Sequence, residues 1–353
     1  FWQTKLGAIL SGAVFDSAIP TYPLILEESG YDIGFTYKVW GPGVALDDTY
    51  AGRKNQYVSG GTSFNSFSFA VTENMNSGAG LDEAMRPLFD EVRANFREFL
   101  ADRSEGKPFC YWWGPTNTHR EWQRGSGKEL WGLNPDDLAG RMPAYFPDTD
   151  TVREDAADYL GECMAFDRGL GVLLEELDAA GELNNTLIVV SGDHGIPGFP
   201  RGKCNLYDLG SEVALMARLP GTIKPGRIVE DMVNIMDLAP TFLEAAAVEK
   251  PEGMPAQSLM QILRSPNSGQ IEPGRNHVVT GRERHVSTAR EWNLPYPHRA
   301  IRTHEYLYIR NFKPDRWPTG DPKGLDDPAA EAPAFEVLEH DTRAAYADID
   351  AGP

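Results

Sequence analysis

The sequence carries little positive charge for its size. Its 353 residues include 33 Lys and Arg against 52 Asp and Glu, which gives a formal net charge of −19. A protein that binds nucleic acid needs a basic face that contacts phosphates, so this balance argues against nucleic acid as a partner. An anionic small substrate stays compatible with the composition if a local group of cations binds it.

Cysteines and long apolar runs are also scarce. Cys110, Cys163 and Cys204 are odd in number and form no CxxC or Cys/His spacing, so neither a disulfide scaffold nor a structural zinc site is indicated. No stretch approaches the roughly 18 consecutive apolar residues of a transmembrane helix, and no membrane partner is predicted. Because 41% of the residues are apolar, the chain can bury a sizeable core without disulfides or a structural metal ion.

Short apolar runs alternate with amphipathic patterns along residues 1–270. Three runs predict strands, namely "KPFCYWWG" (107–114), "TLIVVSGD" (186–193) and "SEVALMARLPG" (211–221). Three patterns predict helices, at 82–100, 155–180 and 234–248. The alternation predicts an α/β main domain, with a mainly parallel sheet between two layers of helices.

The pattern changes after residue 270. "NHVVTGRERH" and "RAIRTHEYLYIRNF" predict strands, the second interrupted by a turn near His304 and Glu305. We therefore expect residues 271–353 to form a smaller antiparallel subdomain, itself incomplete.

Polar residues follow two of the predicted strands. Asp193 and His194 come directly after "TLIVV", and His119 follows "FCYWW". Ligands of open α/β sheets collect at the carboxyl ends of the strands, so these side chains are expected to meet. Asp193 is a hard ligand suited to Ca²⁺ or Mg²⁺, whereas imidazole prefers softer metals. The alternatives are a strand-terminal turn capped by Asp193 and a histidine that is satisfied beneath a loop.

Two lysines add positive charge to the same segments. Lys203 follows Asp193 in a loop rich in Pro and Gly, as a multiply charged oxyanion would require, and Lys38 precedes a Gly-Pro-Gly turn. Each could instead be an ordinary solvated lysine. Arg120 and Trp122, next to His119, suggest a polar pocket with an aromatic wall.

Several segments resemble the type I sulfatases of the alkaline phosphatase superfamily, and most of all the heparan N-sulfatase (sulfamidase)-like branch. The resemblance rests on five segments spread over nearly the whole chain: "IPTYPLILEESGYDIGFTYKVWGPG", "PFCYWWGPTNTHR", "GDHGIPGFPRGKCNLYD", "PGRIVEDMVNIMDLAPTFLEAA" and "YPHRAIRTHEYLYIRN". It implies an alkaline phosphatase-like fold and a sulfuric ester hydrolase that acts on sulfate esters or sulfamates of a sulfated carbohydrate. It also implies a periplasmic or secreted location.

The resemblance assigns roles to five residues. Asp193 and His194 would bind a divalent cation, usually Ca²⁺, with Mg²⁺ or another divalent cation possible. Lys203 would bridge the sulfate, and Lys38 would hold the sulfate or the nucleophile. His119 would protonate the leaving atom. His194 stands where many sulfatases have Asn, and Trp40 stands where many have His.

The nucleophile motif of the family is missing. The family uses a Cys or Ser in a C/S-x-P-S-R run, converted to formylglycine, and none of the three cysteines lies in such a run. We therefore expect the chain to be truncated at both ends, with the formylglycine and its strand in a missing N-terminal segment. A fragment of this kind should be inactive by itself.

Two other functions stay open from the sequence. One is a phosphonate or phosphodiester hydrolase of the same superfamily, and the other is a non-catalytic, glycan-binding relative. For sugar binding the candidates are Arg282, His285, His298 and Arg299, although they could equally be structural ion-pair partners.

Overall fold

The computed structural model describes residues 13, 19–38, 55–199, 201–283, 292 and 294–316. The helices are α1 (Tyr22–Glu28), α2 (Phe67–Asn76), α3 (Leu81–Asp102), α4 (Ser126–Trp131), α5 (Asp150–Ala179), α6 (Asp208–Ser211), α7 (Leu238–Ala245) and α8 (Met260–Arg264). The strands are β1 (Asp32–Tyr37), β2 (Phe109–Gly114), β3 (Ile188–Ser191), β4 (Leu215–Arg218), β5 (His277–Arg282), β6 (His298–Thr303) and β7 (Leu307–Asn311). In these ranges, no helix combines the length and apolar character that a membrane span needs.

Strands β1 and β2 form the parallel part of the fold. They pair in register from Asp32 opposite Phe109 to Tyr37 opposite Gly114, so both strands end at the same edge. The ladder continues past β1, because the Lys38 amide donates to the Gly114 carbonyl at 2.9 Å. The residues that directly follow β1 and β2 therefore lie next to each other at one edge of the sheet, as the parallel arrangement predicted from sequence requires.

Helices α3 and α5 carry the main core. Helix α3 begins with Asp82 and Glu83 in its first turn, where carboxylates favour the helix dipole. Its apolar side chains recur every three or four residues and are buried at Met85, Leu88, Phe89, Val92, Phe96 and Phe99. They pack with Leu173 and Leu177 of α5 and with the side chains of β2. The helices predicted at 82–100 and 155–180 are present, and α5 begins five residues earlier than expected, at Asp150.

The strand predicted at 211–221 is also present, but it runs antiparallel to its neighbour. β4 pairs with β3 from Ile188 opposite Arg218 to Ser191 opposite Leu215. In the described part of the connection between them the one α-helix is the short α6, and a hydrogen bond from the Gly195 amide to the Gly210 carbonyl joins its two ends. The chain therefore returns beside β3 instead of crossing over to a parallel position, which the alternating pattern could not reveal.

The C-terminal strands form the predicted antiparallel sheet in the order β5-β6-β7. The turn between β6 and β7 lies at His304 and Glu305, where the Thr303 amide donates to the Tyr306 carbonyl at 2.8 Å. Around the expected boundary at residue 270, the Asp231 carboxylate accepts hydrogen bonds from the amides of Ile271 and Glu272. These hydrogen bonds join residues on both sides of the expected boundary. The division into 1–270 and 271–353 stays a prediction.

Glu162 on α5 is a buried acid that fixes the loop after β2. Its carboxylate accepts hydrogen bonds from the Asn117 side chain at 2.9 Å and from the Ser68 amide at 3.2 Å. Burial raises its pKa to about 7, in spite of these hydrogen bonds. Asp158, one turn earlier, has its pKa raised by burial to about 6, while it accepts from the Gly125 and Gly127 amides.

Replacing Glu162 by Gln should flatten the pH dependence of stability. The folded protein keeps the Glu162 proton up to about pH 7, whereas the unfolded chain loses it near 4.5, so stability falls as the pH rises through this window. From about pH 5 to about pH 8 the wild-type free energy of unfolding should drop by roughly 2–4 kcal/mol more than that of Glu162→Gln. Urea unfolding at several pH values measures this. Glu252→Gln, at an exposed acid, should keep the wild-type slope, and an unchanged slope in Glu162→Gln would contradict the prediction.

Candidate active site

The predicted site residues meet beyond the carboxyl ends of β1, β2 and β3. Lys38 follows β1 directly, and its Nζ lies 4.0 Å from Asp193 Oδ2 in the segment after β3. His119, in the loop after β2, has its Nε2 2.9 Å from Nζ of Lys203. His194 Nε2 lies 3.5 Å from Asp193 Oδ2. Lys38, Asp193 and His194 thus form one set of contacts and His119 with Lys203 another, and the two sets are linked because the charge of Lys203 lowers the pKa of His194. The strand-end argument predicted that Asp193, His194 and His119 would meet, and the chemical roles of all five residues stay predictions.

The contact between His119 and Lys203 fixes the proton arrangement of the imidazole. An ammonium group has only donors, so Lys203 Nζ donates and His119 Nε2 accepts. The proton of the neutral ring then sits on Nδ1, which donates to the Arg120 carbonyl at 2.6 Å. His119 is thus held with Nε2 directed at the cationic group that an oxyanion would contact.

Asp193 and His194 present two donor atoms side by side. His194 Nδ1 donates to the Gly195 carbonyl at 2.8 Å, which leaves a lone pair on Nε2 beside the Asp193 carboxylate. Burial lowers the pKa of His194, and the charges of Lys203 and Lys38 lower it further against the opposing effect of Asp193. The neutral ring is the form that binds metals.

These two donors fit part of a divalent cation site. Their separation of 3.5 Å is a span that one cation with bonds of about 2.0–2.6 Å can bridge. The Asp193 side chain is 70% exposed, so a cation could reach it from solvent. Within the described residues no group of three or more His, Cys, Asp or Glu side chains is placed to hold a metal ion, and Asp193 and His194 would supply only some of the ligands that Ca²⁺ takes.

The loop from Gly192 to Ser211 is wound tightly on itself. The Lys203 amide donates to the Ile196 carbonyl at 2.9 Å, inside the ring closed by Gly195 and Gly210. At Gly195 a Cβ atom would overlap the Leu209 carbonyl, and at Gly202 it would overlap the Ile196 carbonyl. Close approach of backbone to backbone, which only glycine permits at these two positions, therefore lets the loop fold back on itself.

Arg120 was expected to line a polar pocket beside His119, but the structure buries it. It is buried with Trp122 and forms no wall of an open pocket, because its guanidinium pairs with Asp155 of α5 and both side chains are 2% exposed. Its Nε donates to the Pro197 carbonyl at 3.1 Å, and the group stacks 4.3 Å from the Trp122 ring. Arg120 thereby ties the loop of His119 to the loop of Lys203. The local sequence does not distinguish an arginine buried in the core from one that lines a pocket.

The four candidates for sugar binding have protein contacts where they are described. Arg282 donates to the Cys204 carbonyl, Arg299 pairs with Glu283, and His298 is buried with Nδ1 2.8 Å from the Tyr296 carbonyl. His285 lies outside the described residues. The contact of Arg282 joins β5 to the loop after β3, and the pair of Arg299 matches the structural alternative. Sugar binding by these residues stays a prediction.

Comparison with protein families identifies the family of this chain. The chain belongs to the sulfatase family, whose profile matches residues 15–248. A second profile, N-sulphoglucosamine sulphohydrolase, C-terminal, matches residues 198–332 and places the chain near the sulfamidase-like branch.

Two curated relatives share part of the sequence. The human N-sulphoglucosamine sulphohydrolase is 30% identical over 186 residues, which cover 50% of this chain and 35% of that protein. An ulvan-active sulfatase of Formosa agariphila is 28% identical over 180 residues, which cover 51% of this chain and 28% of that protein. The matched part thus spans about a third of the length of these relatives.

Two solved structures share the fold. One, described in complex with its substrate D-glucosamine-2-N,6-O-disulfate, has a TM-score of 0.56 at 18% identity and covers 99% of this chain and 86% of its own. The other, the phosphonate monoester hydrolase of Agrobacterium radiobacter, has a TM-score of 0.62 at 16% identity and covers 88% of this chain and 75% of its own. The α/β fold predicted from sequence is confirmed as that of sulfatases and phosphonate hydrolases.

Replacing Gly195 by Ala should disrupt the loop. The new Cβ would collide with the Leu209 carbonyl, so the hydrogen bond between Gly195 and Gly210 cannot persist. We expect destabilisation of roughly 1–3 kcal/mol and loss of the contact between Lys203 and His119. Gly192→Ala is the matched control, because its Cβ would lie 3.4 Å from the nearest atom, the His194 carbonyl oxygen. Thermal unfolding and the NMR signals of the His119 ring would test this; equal effects of both variants would contradict it.

Proposed function

We propose that the protein hydrolyses sulfate esters or sulfamates of a sulfated carbohydrate. The observation that supports this most is the contact between Lys203 and His119 at 2.9 Å, beside Lys38 and Asp193. This contact places an ammonium group that can bind an oxyanion next to an imidazole that can transfer a proton. Membership of the sulfatase family supports the same reaction.

In this proposal the two lysines bind the sulfate oxygens. Charge-assisted hydrogen bonds from Lys203 and Lys38 would hold the group and stabilise the charge that develops on it. As Lys203 turns to the sulfate, His119 Nε2 is released and can take up a proton from solvent. When a nucleophile attacks sulfur, the bond from sulfur to the bridging oxygen or nitrogen breaks, and His119 delivers its proton to the leaving atom.

Two further groups belong to the proposal through the family. Asp193 and His194 would hold a divalent cation, Ca²⁺ first among the candidates, which would polarise the sulfate when bound. A formylglycine would supply the attacking hydroxyl. Neither Cys110 nor Cys163 suits the part of a nucleophile, because burial raises the pKa of Cys110 to about 12 and also raises that of Cys163, so neither forms a thiolate readily. We also place the protein in the periplasm or outside the cell, on family membership alone.

Replacing His119 by Gln tests the proposed acid. A sugar alkoxide or amine needs a proton to leave, whereas 4-nitrophenolate does not, so the variant should lose roughly a hundredfold or more on a sugar sulfate and far less on 4-nitrophenyl sulfate. Steady-state kinetics of the full-length protein on both substrates measure this. Lys203→Ala should slow both substrates about equally, with Lys313→Ala, at an exposed lysine, as control. If His119→Gln lowered the rates on both substrates by the same factor, His119 would not be the general acid.

A phosphonate or phosphodiester hydrolase remains the alternative within the same chemistry, because the described cations suit any tetrahedral oxyanion. We expect turnover of 4-nitrophenyl sulfate to exceed that of 4-nitrophenyl phenylphosphonate. The opposite preference would favour the alternative. Binding of sulfated sugar without turnover of either compound would favour a glycan-binding protein.

A further inference from the structure

Arg201 forms a second cationic group on the site loop. Its guanidinium lies 4.5 Å from the ring centre of Tyr145 and 4.8 Å from that of Tyr207. A guanidinium stacks well on aromatic faces, and the stacking leaves the N–H groups in its plane available to a ligand. Nothing in the proposed roles of Lys38, His119 and Lys203 uses this arrangement.

The two rings are fixed by the rest of the structure. Tyr145 packs against the apolar cluster that contains Trp122, Phe146 and Phe199. Tyr207 precedes α6, and its carbonyl accepts from the amides of Gly210 and Ser211 at 2.9 and 3.0 Å. Arg201 itself has φ of +63°, a conformation held by the wound loop. The cation is therefore positioned in advance and loses little freedom when it binds.

Arg201 has no acidic partner among the described residues. The nearest candidate along the chain, Asp208, accepts instead from Arg302 at 2.9 and 3.2 Å. Arg120, Arg153 and Arg275 show the contrasting case, since each contacts a carboxylate. In a chain of net charge −19, a half-buried arginine without a described carboxylate partner suits an external anion.

The position of Arg201 relates this anion to the sulfate site. Arg201 and Lys203 are two residues apart, so their Cα atoms lie within about 7 Å of each other. A substrate with one sulfate on Lys203 would present a neighbouring charged group to Arg201. A guanidinium can hold a sulfate or a carboxylate with two parallel hydrogen bonds.

We propose that Arg201, supported by Tyr145 and Tyr207, is a specificity-determining residue that binds a second anionic group of the same substrate. The second group is a sulfate or a carboxylate, and the preferred substrates are carbohydrates with at least two charges. This inference rests on the proposed function of the site around Lys203.

Titration calorimetry with three probes tests the inference. Glucosamine 6-sulfate carries one anionic group, D-glucosamine-2-N,6-O-disulfate adds a sulfate, and a uronic acid linked to glucosamine 6-sulfate adds a carboxylate. Arg201→Gln should weaken binding of one or both of the doubly charged probes by roughly tenfold or more, and that of glucosamine 6-sulfate by less than about threefold. The probe that is affected identifies the second group. Arg201→Lys should lie between, because an ammonium keeps the charge without the planar fork.

Controls separate this inference from the proposed function. Arg310→Gln removes an arginine that also stacks on one ring, 5.0 Å from Phe312, but on β7, and should leave every affinity unchanged. If Arg201→Gln unfolds, Tyr207→Leu serves instead, since loss of the ring should weaken the same doubly charged probes. The proposed function fails if Lys203→Ala leaves the affinity for glucosamine 6-sulfate intact. The inference fails if Lys203→Ala lowers that affinity while Arg201→Gln lowers all three by the same factor or none.

Discussion

The ion pair between Arg120 and Asp155 is the constraint on which the site depends. Asp155 lies on α5, the longest helix, and Arg120 Nη1 donates to its Oδ1 at 2.8 Å. The same guanidinium donates to the Pro197 carbonyl, in the loop after β3. One buried group therefore holds the loops of two strands against one helix. Removal of either partner would leave an uncompensated buried charge, which typically costs about 3–5 kcal/mol, so separation of the loops from this helix is strongly opposed.

Local charge at the site opposes the charge of the whole protein. The chain carries a net charge of −19, yet Lys38, Lys203 and Arg201 lie in or beside the polar group at the strand ends. Acidic surfaces repel polyanions at long range, and a small group of cations restores attraction at short range.

The sequence predicted the parts of the structure that depend on local pattern. Helices α3 and α5, the parallel strand β2 and the C-terminal sheet followed from periodicity, and the placement of His119, Asp193 and His194 after the carboxyl ends of β2 and β3 followed from the order of residues along the chain. The antiparallel direction of β4 depends on how the loop before it closes, through backbone contacts at Gly195 and Gly210. The pairing of Arg120 with Asp155 and the stacking of Arg201 are distant contacts. Composition and spacing carry no signal for them.

The loop after β3 has two parts, a backbone frame that is hydrogen-bonded to itself and a rim of side chains. The frame is backbone bonded to backbone, with glycines at the crossings, whereas the Arg201 and Tyr207 side chains belong to the rim and Tyr207 is 40% exposed. The Lys203 amide belongs to the frame, because it donates to the Ile196 carbonyl at 2.9 Å. Side chains at the rim can therefore be exchanged without breaking the backbone contacts that shape the loop.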